Sequence, residues 1–338
     1  MKRGKRPGCL ENAAMFLGIR THQELASLLY VSLADLETLI NKPAYREFRI
    51  KKKRHGERLI HDPSPMLKSV LKRLTFYLNA VYTLIRNDQA YGFVPNINKK
   101  DTQKNILENA KRHIGKNHLY SIDLKNFFPS ITAGRVYRIF EDPFLFNKEI
   151  ATALALLTTY RKSLPMGANT SPIISNFICL DLDAELARLA KESHMEYTRY
   201  ADDLTFSSDL PFTGQLKADI GKIIERQGFK VNERKVRERS RHRRQVVTGI
   251  KVNEKPNVDR TYIRNLRALL HDWHLNGLKE AVRHHFDLPG RPTFGHVGLF
   301  LASTEGKISF VGFVRGREDR IFLKLDREYK ELEGGNRN

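Results

Sequence analysis

Two adjacent carboxylates, Asp202 and Asp203, follow Tyr200 and Ala201 inside a stretch rich in β-forming residues. Tyr197, Thr198 and Arg199 precede them, and Leu204, Thr205 and Phe206 follow. This pattern predicts a strand, a tight turn carrying the acids, and a return strand. Like charges held at one hairpin tip repel. Such a turn either faces solvent, where Asp is common, or lines a cleft in which divalent cations offset the charge. The pair alone favours the solvent-facing turn. A third acid shifts the balance: Tyr120 to Leu124 is a short β-like run carrying Asp123, with Phe127, Phe128, Pro129 and Ser130 just beyond. An acid at a strand end with an aromatic close behind can set a metal pocket beside a sugar pocket, and carboxylates so gathered serve two-metal phosphoryl transfer.

The bulk of the chain is compatible with that chemistry. With 338 residues, 41% of them hydrophobic, it can bury a large core in one large domain or in two to three subdomains. Lys and Arg number 59 against 38 Asp and Glu, a formal net charge of +21, which suits a polyanionic partner, nucleic acid or an anionic membrane. No apolar run reaches transmembrane length, and the basic start at Met1 to Gly8 lacks the apolar core of a secretory signal. Cys9 and Cys179 are the only cysteines, so neither a disulfide framework nor a cysteine metal site is expected, and a reducing cytoplasm is. No internal repeat or low-complexity segment is present.

Residues 1 to about 20 are weakly patterned, and a mobile start is expected. Thr21 and Glu24 fit a capping box opening a helix through Leu25, Leu28 and Leu29. Ser32 to Asp35 opens a second helix with Leu36, Leu39 and Ile40 on its apolar face. Two short helices in succession suit either a DNA-binding helix-turn-helix or a helical cap on a larger body. Phe48 to Ile50 and Arg58 to Ile60 flank a basic, Gly-containing tip, which predicts a hairpin. Helical spacing runs through 66–85, 105–113, 148–160 and 173–191, and again through Ile263, Leu266, Leu269, Leu270 and Trp273. Between Arg234 and Arg244 lie seven Arg or Lys and one carboxylate, Glu238, read either as a solvated face or as the border of a nucleic-acid channel. The stretch 298–313 is apolar, and the tail from Gly334 is polar and expected to fray.

Taken in order, Asp123 to Ser130, Leu164 to Pro172 and Tyr200 to Asp203 resemble the motif series of bacterial reverse transcriptases, and Gly228 to Lys235 fits the next motif. Asn109-Ala110 with His113, and Val247-Thr248-Gly249, resemble elements of the retron type. The resemblance covers roughly residues 45 to 325. It implies an α+β right-hand polymerase with fingers, palm and thumb, an antiparallel palm sheet and a small helical N-terminal extension. The implied bounds are 1–45 for the extension, 46–118 with part of 135–165 for the fingers, 119–252 for the palm and 253–338 for an RNA-binding thumb.

It further implies catalytic Asp123, Asp202 and Asp203, with the carbonyl of Leu124 as an added metal ligand and two Mg²⁺ per site. Mg²⁺ prefers oxygen ligands, which these are. Phe128 resembles the steric gate beneath the sugar of the incoming nucleotide; either Phe127 or Phe128 can instead be core. Arg58 with Lys52 or Lys53 resembles the cations that grip the triphosphate. Gly167 to Pro172 resembles the loop under the nascent base pair, but Met166 stands where the family has Gln and Asn169 where it has Pro. A thioether cannot make an amide's hydrogen bonds, so nucleotide contacts there are altered. Lys235 resembles the lysine that protonates departing pyrophosphate, the alternative being a phosphate-backbone contact. Asn109, His113, Val247, Thr248 and Gly249 are expected to contact the cognate RNA.

The implied activity is RNA-directed DNA synthesis on one structured noncoding RNA that serves as template and 2′-hydroxyl primer. Partners would be that RNA, the RNA–DNA hybrid, deoxyribonucleoside triphosphates and a retron effector protein in antiphage defence, with no membrane. The alternatives are a group II intron or diversity-generating reverse transcriptase, and an inactive nucleic-acid-binding protein. Intron proteins usually continue past the thumb, whereas this sequence stops at Asn338.

Overall fold

The computed structural model describes residues 8–51, 56–96 and 103–335. The first elements are α1 (Cys9–Leu17), α2 (His22–Leu29), α3 (Leu33–Asn41), the strands β1 (Tyr45–Lys51) and β2 (Glu57–Pro63), and the long α4 (Pro65–Ile85). There follow α5 (Ile106–Lys111), β3 (His118–Asp123), α6 (Phe127–Ser130), α7 (Ala133–Glu141), α8 (Lys148–Thr158), α9 (Ser171–Ile178) and α10 (Leu180–Glu192). Next are β4 (Glu196–Tyr200), β5 (Asp203–Ser208), α11 (Gly214–Arg226), a 3-10 turn at Glu233–Lys235, β6 (Arg237–Ser240), β7 (Val246–Val247) and β8 (Ile250–Lys251). Three helices close the chain: α12 (Arg260–Phe286), α13 (Phe294–Arg315) and α14 (Arg320–Gly335). Two compact units result. One comprises Met1–Asn105 and Asn117–Glu238, the other Ile106–Lys116 and Arg239–Asn338.

In the first unit the Thr21–Glu24 capping box and the Ser32 cap start α2 and α3 as the sequence predicts. Their apolar faces (Leu25, Leu29, Leu36, Leu39) sink into a common core with Leu67, Leu71, Leu74 and Leu78 of α4. Residues 1–7 lie outside the described residues, but from Cys9 onward the segment expected to be loose is helical. Within α1, Phe16 is fully buried and meets Phe146 edge-on at 5.1 Å, a contact 130 residues away in sequence that local patterning does not reveal. The single helix expected over 173–191 is two, because Cys179 leaves helical geometry (ψ 1°). Its thiol is fully buried, and that burial pushes it up to about 12.

Strands β1 and β2 form an antiparallel hairpin whose described part runs from Tyr45 opposite Pro63 to Lys51 opposite Glu57. The second sheet is four-stranded in the order β4-β5-β3-β6. Strand alternation sends Ile122, Leu204 and Phe206 to an apolar face, where Phe206 stacks on Tyr197 at 4.8 Å. The other face carries Ser121, Asp123, Asp203 and Thr205.

In the second unit α12, interrupted at Gly277 (φ 75°), α13 and α14 pack around Trp273, which meets Phe300 at 5.7 Å and Tyr329 at 5.8 Å. Helix α13, 22 residues with a mean hydropathy of 1.3 over its most apolar window, is long and apolar enough to cross a membrane by length and composition. Glu305 and Lys307 interrupt the run, so no unbroken apolar stretch shows in the sequence. Phe300, Thr304, Ile308 and Val311 of this helix are buried.

Candidate active site

Antiparallel register brings the three acids together. Asp123 ends β3 directly opposite Asp203 at the start of β5, and Tyr200 of β4 pairs with Asp203 on its other side. Residues so paired hold their Cβ atoms about 5 Å apart on one face of the sheet. Ala201 and Asp202 form the turn, with Ala201 in the left-handed region at φ 57°. The Leu124 amide donates to the Asp202 carbonyl at 2.9 Å, and the Asn232 amide to the Asp123 carbonyl at 2.8 Å, which ties three chain segments into one floor.

These groups are partly shielded from water and their charges are alike. Burial, reinforced by the Asp123 charge, raises the Asp202 carboxyl above its ordinary range, while Lys235 and Arg58 oppose the rise. Asp203 keeps an edge in solvent, yet crowding first, then Asp202 and Asp123, pushes it up to about 6. Asp123 is partnered: Lys235 Nζ donates to Oδ1 at 2.5 Å and Asn232 Nδ2 to Oδ2 at 2.9 Å. Among the described residues, no three His, Cys, Asp or Glu side chains are drawn into a ready-made metal cage. The donors nevertheless fit a hard divalent cation. They are all carboxylate oxygens, two are raised acids that a cation would relieve, and the third already holds an ammonium group.

Other expected site residues surround this floor. Arg58, on β2 opposite Ile50, is exposed and acts electrostatically on Asp202. Lys52 and Lys53 lie outside the described residues. Phe127 is buried and stacks on Phe229 at 5.6 Å, whereas Phe128 is half-buried and stacks on the exposed ring of Phe93 at 6.2 Å. The core role therefore falls to Phe127. Gly167 (φ 127°) has no room for a side chain: a Cβ would lie 2.6 Å from the His61 carbonyl. The His61 amide donates to the Met166 carbonyl at 2.8 Å, so this loop is fastened to the hairpin that carries Arg58. Asn169 Oδ1 and Thr170 Oγ1 beside it are buried without partners.

The remaining expected residues lie in the second unit, where three of the five are buried. Asn109 and Val247 are 1% exposed and His113 fully buried, so these side chains are not presented to a ligand. Burial first, then Arg112, pushes His113 down to about 3. Thr248 (φ 47°) and Gly249 (φ 84°) form the two-residue turn between β7 and β8, with positive φ at both positions as a type I′ turn requires. Thr248 Oγ1 donates to the Ile106 carbonyl at 3.0 Å, docking the turn on α5. The two sequence elements are thus one packed substructure. Exposed Gly249 lines a basic concavity of about 680 Å³ with Arg241, Arg243, Lys251 and Arg260.

Sequence reasoning missed the support beneath the acidic turn. Asp183 and Arg199, both wholly buried, pair through two bonds of 2.8 and 2.7 Å. One signal existed: Asp183 shares the buried stripe of Cys179, Leu186 and Ala190, where an acid demands a partner.

The family described as reverse transcriptase (RNA-dependent DNA polymerase) matches positions 50–253. The chain is 34% identical over 293 residues to the retron Mx65 reverse transcriptase of Myxococcus xanthus, covering 79% of this chain and 66% of that protein. It is 32% identical over 314 residues to the retron Mx162 reverse transcriptase of Myxococcus xanthus, covering 82% and 59%. To the retron Ec86 reverse transcriptase of Escherichia coli it is 32% identical over 254 residues, covering 73% and 76%. The chain therefore spans less than two thirds of the length of both Myxococcus proteins.

Proposed function

Because the chain belongs to the reverse transcriptase family, and within it to the retron reverse transcriptases, we propose that it is an RNA-directed DNA polymerase. The observation that carries the reading is the register that sets Asp123 against Asp203, with Asp202 on the adjoining turn. Two Mg²⁺ held by these carboxylates and by the Leu124 carbonyl would sharpen the attacking hydroxyl and stabilise charge on the α-phosphate and the departing pyrophosphate. The protein's own groups do the rest. Arg58, and Lys53 by sequence, grip the triphosphate. The half-buried Phe128 ring closes the space a ribose 2′-hydroxyl would need. Lys235 carries a proton at Nζ within reach of Asp123 and can give it to the leaving group. Met166, at the start of the loop fastened to β2, faces the base pair without an amide.

The template is a structured noncoding RNA that also primes synthesis through a 2′-hydroxyl, giving a branched RNA-linked DNA. The RNA is held through its backbone and A-form shape by the basic surface that includes Arg241, Arg243, Lys251 and Arg260. The thumb comprises the helices after residue 253, and the palm carries the acidic floor. Unpaired Cys9 and Cys179 suit a reducing cytoplasm, and pairing with an effector protein in antiphage defence completes the reading.

Primer extension on an RNA template tests this proposal. The parent chain should incorporate deoxyribonucleotides in the presence of Mg²⁺, and Asp202→Asn or Asp203→Asn should lower the rate by on the order of 10³-fold, the scale of losing preorganised charge stabilisation. Equal synthesis by parent and variants would defeat it.

A further inference from the structure

The turn that carries Asp202 stands on a buried polar assembly with no part in the chemistry described so far. Its first residue, Ala201, holds a positive φ that L-residues avoid, and it does so at the position where the backbone must aim a carboxylate. Arg199, two residues upstream, points inward. Its Nε and Nη2 fork onto Asp183, and its Nη1 reaches both Asn176 Oδ1 at 3.0 Å and the Ala201 carbonyl at 3.3 Å. Asp183 is saturated by Tyr197 Oη at 2.8 Å and Asn87 Nδ2 at 3.0 Å. Asn176 Nδ2 in turn donates to the Gly92 carbonyl at 3.0 Å. Gly92 lies directly under the turn: a Cβ there would come within 2.5 Å of the Ala201 amide nitrogen. The 89–91 segment is hydrogen-bonded on both sides of Arg199, from the Arg199 amide to Gln89 and from the Tyr91 amide to the Arg199 carbonyl, each at 2.8 Å.

A buried ion pair is a poor device for stability, since well-packed apolar residues do as well or better. A fully satisfied, rigid one is a good device for geometry. Here the network reaches the turn through the Ala201 carbonyl and the segment beneath it through Gly92 and Asn87, while Tyr197 braces Asp183 from β4. We propose that Arg199, Asp183 and Asn176, seated on Gly92, are positioning residues that hold the Ala201–Asp202 turn in its strained form, so that the Asp202 carboxylate meets the reacting phosphate in register. The proposal deepens the polymerase reading and rests on it for its kinetic half.

Four variants of the full chain test it: Arg199→Lys, Asp183→Asn, Asn176→Ala and Gly92→Ala. Three quantities are measured: kcat and KM for deoxyribonucleotides, thermal unfolding, and amide hydrogen exchange in the peptide covering the turn against a peptide from β3. The clamp predicts kcat down about 100-fold, the scale of an ångström misplacement. It also predicts KM within about threefold of the parent value and faster exchange confined to the turn. Arg199→Lys keeps the charge but loses the fork, so it should fail as badly as the others; parental kcat in Arg199→Lys overturns the clamp. Should the two charge variants not fold, Asn176→Ala and Gly92→Ala decide. Folded variants with parental kcat, or with unchanged exchange in the turn, likewise overturn it. A parent that makes no DNA sinks the polymerase reading instead, and the exchange comparison still decides the clamp.

Discussion

Asp203 joins electrostatics to a measurable pH effect. Its folded value, about 6, lies above the ordinary 3.8, so the protonated form favours the native state. That stabilisation is complete below pH 3.8 and is lost as pH rises through 6. In chelator, Asp203→Asn should therefore raise the melting temperature at pH 8 and leave it nearly unchanged at pH 4. The rise should be small, because the carboxyl touches solvent. Adding Mg²⁺ at pH 8 should then stabilise the parent more than the variant; identical melting curves in both conditions would refute the crowding argument. Phe128 makes a separate prediction. Phe128→Ala should lower discrimination against ribonucleotides by about 10- to 100-fold, the range for a single apolar pocket contact, read as the ratio of kcat/KM values. Asp123, Asp202, Asp203, Phe128 and Lys235 stood out in the sequence as candidates because each sits in a short ordered pattern. Asn232 and Gly92 were not assigned, because their roles depend on partners 109 and 84 residues away.

Elements explain what residue patterns left blank. The Asn109–His113 segment and the Val247–Gly249 turn offered no chemistry in sequence, and periodicity cannot pair segments so far apart. Packed together, they form a helix and a hairpin with a buried neutral histidine. Burial pushes His113 down to about 3 against 6.5 ordinarily, so its contribution is full above pH 6.5 and falls away as pH drops toward 3. At pH 5 the loss is about 2 kcal/mol at 1.36 kcal/mol per pH interval. His113→Leu should flatten the acid limb of a stability-against-pH curve from pH 7 to 5, measured by denaturant unfolding. An unchanged slope would show that the imidazole is not the titrating group. At the turn, Thr248→Val removes the bond to the Ile106 carbonyl and should destabilise this unit by about 1 kcal/mol, the usual net worth of one such bond.

At the scale of the whole molecule, charge dominates. With a net +21, binding to a nucleic-acid backbone should release many counterions. With six to ten phosphates neutralised, affinity should fall by about 10³- to 10⁵-fold between 50 and 200 mM salt. A flat salt dependence in filter binding would contradict backbone recognition. Composition showed this plainly, as helical spacing showed α4 and α8. Helices α7, α11 and α14 escaped notice: their exposed sides are strongly charged, and their buried residues are few, such as Val136 and Phe140 in α7 or Ile220 and Ile224 in α11. The break between α9 and α10 escaped for the opposite reason, an apolar run continuous through Cys179. That break has a practical use. Cys179 is wholly enclosed beside Arg199 and Asp183, with its thiol at about 12, while Cys9 is only partly covered. An alkylating reagent at mild pH should tag one sulfur per native chain, and the second sulfur should yield only as the interior loosens. The interval between the two additions is a clock for how long the ground beneath the acidic turn stays shut.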